Sequence, residues 1–139
     1  MLNEAELALI RRQAGEVAML GHAFGAECLA RACWANPWMR GHLPRDVQNL
    51  RIEIPPAIDM VTGLLDRPER LEALLESYLD RAGGRVPLHV LLVLAEALVA
   101  TLRSRFEEEF TASAEQAWRK LLGELVPRLA APDALPNAA

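Results

Sequence analysis

Several residue types that build particular kinds of protein are scarce in this sequence. Two cysteines among 139 residues cannot form a disulfide framework, which favours a reducing, cytoplasmic location. Lysine occurs once, at Lys120, and 15 basic residues face 19 acidic ones, so nucleic acid is not an expected partner. The first residues are acidic where a signal peptide would be basic. No uncharged apolar run reaches the roughly 18 residues that cross a membrane, so no membrane partner is expected.

Strand signals are also missing, whereas helical signals recur along the chain. No run alternates apolar and polar residues for long enough to indicate a half-buried strand. Apolar residues make up 52% of the chain, which is enough for one domain with a buried core. We therefore predict an all-α domain of about six to seven helices over residues 1–130, followed by a disordered tail over 131–139.

Capping residues and prolines predict where the helices begin and end. Asn3 with Glu6, and Ser113 with Gln116, have the spacing of a capping box. Because the pair Pro55-Pro56 removes two backbone donors, we expect a helix to start there rather than to pass through it. The run 88–95 is apolar on almost every side, so its helix should be the most buried. The predicted helices cover residues 4–19, 22–34, 55–65, 68–82, 87–106 and 113–129, with a short helical turn over 37–41.

The order and spacing of several short motifs resemble those of bacterial globins. In those proteins an apolar helix commonly ends near LLATL, and a loop with FT and a helix containing AW follow it. The first helix is similar too. So is the spacing that follows the second helix, which runs from Asn36-Pro37 to Leu43-Pro44 and Asp46. The resemblance covers about residues 2–129 and implies a globin fold. The segments that match at the end of the chain are Leu98-Val99-Ala100-Thr101-Leu102, Phe110-Thr111 and Ala117-Trp118-Arg119.

The positions that hold haem in globins are altered in this chain. The histidine that ligates haem iron corresponds to Arg81, or to Asp80 or Ala82 if the alignment moves by one residue. Arginine stays protonated and offers iron no lone pair. The distal positions, which often stabilise bound oxygen through polar groups, correspond to leucines. The resemblance is therefore to globin relatives that lack the proximal histidine and bind no haem. The distal leucines are Leu29, Leu43 and Leu50.

Such relatives imply a haem-independent sensory or ligand-binding domain with an apolar pocket. The ligand would be a fatty acid or a linear tetrapyrrole (a bilin), and signalling would proceed through helix packing. Arg81 and Arg85, with Arg45 or Arg51 opposite, would pair with a ligand carboxylate. Each arginine also has a simpler interpretation as a solvated surface charge. The apolar pocket candidates are Leu29, Leu43, Leu50 and Ile54.

Two other functions remain open from the sequence. The first is a haem globin with non-standard ligation through His89, which would bind oxygen or another diatomic gas. The second is a ligand-free module that forms a homodimer through the last two helices. Core packing explains the leucines of the final helix equally well. Those leucines are Leu121, Leu122, Leu125 and Leu129.

Catalytic and metal-binding patterns are not evident in the sequence. The three histidines, His22, His42 and His89, form no pair with metal-ligand spacing, so no metal site is predicted. Cys28 and Cys33 lie roughly 140° apart on one helix and cannot face each other as a redox pair. No nucleophile or phosphate-loop motif occurs. We expect a binding protein rather than an enzyme.

Overall fold

Helices make up almost all of the described part of the chain. The computed structural model describes residues 2–43 and 47–131, with side chains except at 47–50. Within these residues no strand occurs, and the single isolated bridge joins Val86 to Ala130. The all-α prediction is confirmed, while residues 132–139 of the predicted tail lie outside the described residues. The elements are α1 (Glu4–Leu20), α2 (His22–Ala35), a 3-10 helix (Pro37–His42), α3 (Val47–Gly63), α4 (Pro68–Ala82), α5 (Leu88–Phe106), a 3-10 turn (Glu107–Glu109) and α6 (Ala112–Leu129).

Local signals at the helix ends account for most of these boundaries. The capping box predicted at the start of α1 is present, with Asn3 and Glu6 bonded to each other's backbone N–H groups at 2.8 and 3.0 Å. Gly83 ends α4 in the left-handed conformation, with φ of 84°. The cap predicted for α6 is wrong, since Thr111 and not Ser113 accepts the hydrogen bond from the Ala114 N–H.

The prediction that a helix starts at Pro55-Pro56 is wrong, because α3 begins at Val47 and runs through both prolines. Pro55 lacks the N–H that would bond the carbonyl of Arg51. That carbonyl instead lies against Gly25 of α2, where a side chain would clash with it. Pro55 is itself fully buried. The cost of the missing helical bond is therefore offset by close packing between α2 and α3.

The main core lies where α1, α2, α5 and α6 meet. Trp118 of α6 is its largest fully buried side chain, and Ile10, Phe24 and Leu102 pack in the same cluster. Gln13 of α1 is also buried, and its amide oxygen accepts a hydrogen bond from the Trp118 indole at 2.8 Å. This bond satisfies the one donor of the indole inside the core.

Helix α5 is less buried at its beginning than the sequence indicates. Leu88 is 46% exposed and Leu92 is 50% exposed, whereas Val99, Thr101 and Leu102 farther along are fully buried. The first half of α5 lies between α2 and α6 with its outer face uncovered. The helix predicted from this run is thus buried mainly in its second half, and the run 88–95 itself is its more exposed part. None of the described helices is long and apolar enough to span a membrane.

Candidate functional site

Helix α4 is attached to the rest of the domain mainly near its beginning. Leu71 and Leu75 of α4 form a buried cluster with Val61 of α3, and Leu125 and Leu129 of α6 pack against it. Farther along α4, Tyr78 and Leu79 are only half-buried. The second half of α4 is thus less buried than the first, although Tyr78 still packs against the edge of this cluster.

An ion pair joins the second half of α4 to α3. The Arg81 guanidinium lies 3.1 Å from the Glu53 carboxylate of α3, and the two side chains are 59% and 54% exposed. The same guanidinium lies 5.1 Å from the centre of the Tyr78 ring. Burial raises the pKa of Tyr78, and the positive charge of Arg81 opposes that shift. Tyr78 is therefore a neutral phenol under ordinary conditions.

Arg85 has a structural role at the end of α6. Its guanidinium donates hydrogen bonds to the carbonyls of Arg128 and Ala130 at 2.5 and 3.4 Å. Backbone bonds from Val86 to Leu129 and from Ala131 to Val86 hold the same loop against α6. A cation at this position stabilises the carbonyl end of a helix. The structure thus places Arg85 on the α6 terminus and Arg81 beside Glu53 of α3.

Arg51 has a buried polar atom with no hydrogen-bond partner among the described residues. Its Nε lies out of contact with solvent, and Arg51 precedes Glu53 by two residues on α3. An unpartnered donor of a charged group is costly inside a protein, and an anion would satisfy it. Arg45, the other arginine predicted to face the ligand, lies outside the described residues.

The apolar pocket candidates are spread over different packing environments. Leu29 is buried, Ile54 packs against the main core, and Leu43 packs against a smaller cluster around Met39 and Val90. The side chain of Leu50 lies outside the described residues, although its backbone belongs to α3. Their assignment to a ligand pocket stays a prediction.

The three histidines are all exposed, but two of them are close together. The ring centres of His42 and His89 are 5.4 Å apart, and the Trp38 ring lies 5.4 Å from the first and 5.2 Å from the second. His42 ends the 3-10 helix and His89 begins α5. Because 46 residues separate them in the sequence, no local pattern could have predicted this cluster.

The two cysteines are free thiols, and one is part of the core. Cys28 is buried, and burial raises its pKa to about 11, against the weaker effect of a hydrogen bond with Thr101. A thiol with so high a pKa is a poor nucleophile at neutral pH. Cys33 is half-buried beside the smaller cluster.

The surface between α2, α5 and α6 carries two apolar grooves. The first has a volume of about 890 Å³, lies between α2 and α5, and includes the almost fully exposed Trp34. The second, of about 360 Å³, lies between α5 and α6 and includes Leu122 and Val126. Leu92 and Glu96 line both grooves, so the two form one continuous surface.

A comparison against protein families identifies the family of this all-α chain. The model of the globin family matches residues 26–129, which is most of the chain. The chain belongs to the globin family. No curated protein matches this globin closely enough to count as a relative.

Globins are usually binding proteins rather than enzymes, and they typically hold haem iron through a histidine on the helix that precedes the long apolar one. In this globin that helix is α4, which contains no histidine, cysteine or methionine. Arg81, which the resemblance to globins places at the ligand position, has no lone pair to offer iron. The residues of α4 therefore do not fit haem as the family binds it.

Proposed function

We propose that this globin functions without haem, as a sensory domain that binds an apolar carboxylate between α3 and α4. A fatty acid and a linear tetrapyrrole both have the required chemistry. The proposal depends on one observation, which is the ion pair between Arg81 and Glu53. The space that this pair spans between α4 and α3 is the proposed ligand crevice. In the resemblance to globins this guanidinium corresponds to the iron ligand, and it already holds a carboxylate.

The ion pair is suited to exchange. An exposed pair contributes at most about 1 kcal/mol, so a ligand carboxylate replaces Glu53 at small cost. A guanidinium binds a carboxylate through two parallel hydrogen bonds. The apolar part of the ligand would then lie along Tyr78 and Leu79, and the unpartnered Nε of Arg51 is a second donor on the α3 side.

Ligand binding would be transmitted through α4. This helix contacts α6 through the cluster of Leu71, Leu75, Leu125 and Leu129, so a displacement of α4 changes the packing of α6. That connection supports a sensory role, in which occupation of the crevice is detected at α6.

Absorption spectra test for haem binding, and thermal unfolding tests for binding of biliverdin or a fatty acid. With hemin we expect no Soret band that survives desalting. With biliverdin or a fatty acid we expect stabilisation, which reaches about 2.7 kcal/mol at a ligand concentration of 100 times Kd. The variant Arg81→Ala should lose that stabilisation, while Arg70→Ala, which removes an exposed arginine from the same helix, should keep it.

Two outcomes would overturn the proposal. A retained Soret band would show that the globin binds haem, and its loss in His89→Ala would assign the iron ligand. Unchanged unfolding curves across fatty acids and biliverdin would exclude the ligand class.

A second candidate function, a homodimerisation module, is favoured by the exposed apolar surface of α5. Leu88 and Leu92 are half exposed beside the groove between α5 and α6. Of the leucines predicted for the dimer face, only Leu122 lines this groove. Leu121 is buried in the main core, and Leu125 and Leu129 pack against α4. In globin-related sensors the last two helices often form such a dimer, and a second copy of this surface would cover the leucines.

Sedimentation velocity over a range of concentrations tests for the dimer. We expect a dimer whose dissociation constant rises in Leu92→Glu, because the new charge lies in the centre of the surface. Met60→Glu is the matched control, since Met60 is equally exposed but lies on α3. A protein that stays monomeric at high concentration would rule out this candidate.

A further inference from the structure

The cluster of His42, His89 and Trp38 is not used by the proposed ligand crevice. It joins the end of the 3-10 helix to the first turn of α5, and all three side chains are exposed. In this cluster two imidazoles from distant segments meet edge to face.

We propose that His42 and His89 form a site for a divalent transition-metal ion, with water in the remaining coordination positions. Imidazole nitrogen is a preferred ligand of zinc, nickel and copper, and affinity increases toward Cu(II). The structure therefore predicts a small site that is independent of haem and of the apolar ligand.

The separation of the two rings agrees with joint coordination. Metal–imidazole bonds of about 2.1 Å place each ring centre about 3.2 Å from the metal, so two tetrahedral ligands have ring centres about 5.2 Å apart. The observed separation is 5.4 Å, with the ring planes at 90°. Both rings would reach one ion by turning a nitrogen toward a common point, and the two side chains are exposed enough to turn.

The described residues contain no group of three or more histidine, cysteine or acidic side chains that would enclose a metal. A site with two protein ligands remains open to water, and it binds a metal ion less tightly than a structural site with four protein ligands. Its metal would exchange with the solution, and occupation would tie the 3-10 helix to α5. Binding should therefore stabilise the fold in proportion to metal concentration.

Titration with Cu(II) chloride, followed by tryptophan fluorescence, tests the site. The Trp38 ring lies within 5.4 Å of both imidazoles, so bound Cu(II) should quench its emission. Trp38→Phe should remove this quenching while calorimetry still detects binding. Zn(II), which does not quench, should raise the temperature of unfolding.

Single substitutions decide whether the two histidines act together. His42→Ala and His89→Ala should each weaken Cu(II) binding on the order of tenfold or more, since second-shell partners alone are worth about 10- to 100-fold. His22→Ala is the matched control, because His22 is exposed at the start of α2 and far from this cluster in sequence. The proposal would be overturned if the unsubstituted protein and the three variants bound Cu(II) equally well. It would also be overturned if His22→Ala weakened Cu(II) binding as much as the other two substitutions. Circular dichroism of each variant confirms that the helices are intact.

Discussion

The variant Trp118→Ala should lower the free energy of unfolding by about 3–5 kcal/mol. Trp118 is 1% exposed and packs in the main core with Phe24, Leu102 and Leu121. Removing the indole leaves a cavity and leaves the Gln13 amide oxygen without its donor. Since small domains are stable by only about 5–15 kcal/mol, this single change removes a large part of the total. Urea denaturation measures the loss.

Trp34→Ala is the matched control for this experiment. Trp34 is 90% exposed on α2, so the same substitution there should change stability by less than about 0.5 kcal/mol. Trp118→Phe keeps an aromatic ring and removes the hydrogen bond, with an expected cost of about 1–3 kcal/mol. Comparable losses in Trp34→Ala and Trp118→Ala would contradict the placement of Trp118 in the core.

The sequence predicts those helix ends that local chemistry determines. The capping box at Asn3 and the glycine after α4 act within a few residues, and both are found as expected. The cap of α6 shows the limit of this reasoning, because Thr111 and Ser113 both have suitable side chains. The choice depends on which residue has the extended backbone before the helix, and that is fixed by the preceding turn Glu107–Glu109.

Distant contacts explain what the sequence could not predict. The resemblance to globins placed Arg81 on the helix that normally carries the iron ligand, but not its partner Glu53, 28 residues away. The cluster of His42 and His89 likewise depends on how the 3-10 helix meets α5. The contact of Arg85 with the end of α6 also joins distant segments, and its role in ligand binding stays a prediction.

The path of α3 through Pro55-Pro56 is the clearest case of packing that overrides local preference. Two missing backbone donors disfavour a helix in isolation. The structure compensates at the crossing with α2, where the free carbonyl of Arg51 meets the backbone of Gly25. A Cα–H group can donate a weak hydrogen bond to such a carbonyl. This compensation requires that residue 25 has no side chain.

Gly25→Ala should therefore destabilise the protein, by about 1–3 kcal/mol, although alanine is the better helix former. A Cβ at this position would lie 2.9 Å from the Arg51 carbonyl carbon and 3.0 Å from its Cα. Both are backbone atoms of a helix, so α2 and α3 must move apart to admit the methyl group. Because α3 forms one side of the proposed ligand crevice, the same variant should also weaken ligand stabilisation.

Gly15→Ala makes the identical substitution in the middle of α1, where nothing lies within 4 Å of the added methyl group. There the gain in helix propensity is unopposed, and stability should rise by up to about 1 kcal/mol. Thermal unfolding of the two variants should thus shift in opposite directions. If Gly25→Ala were stabilising to the same degree, then α2 and α3 would not be in close contact. Another source of stabilisation would then be needed for a helix that contains two consecutive prolines.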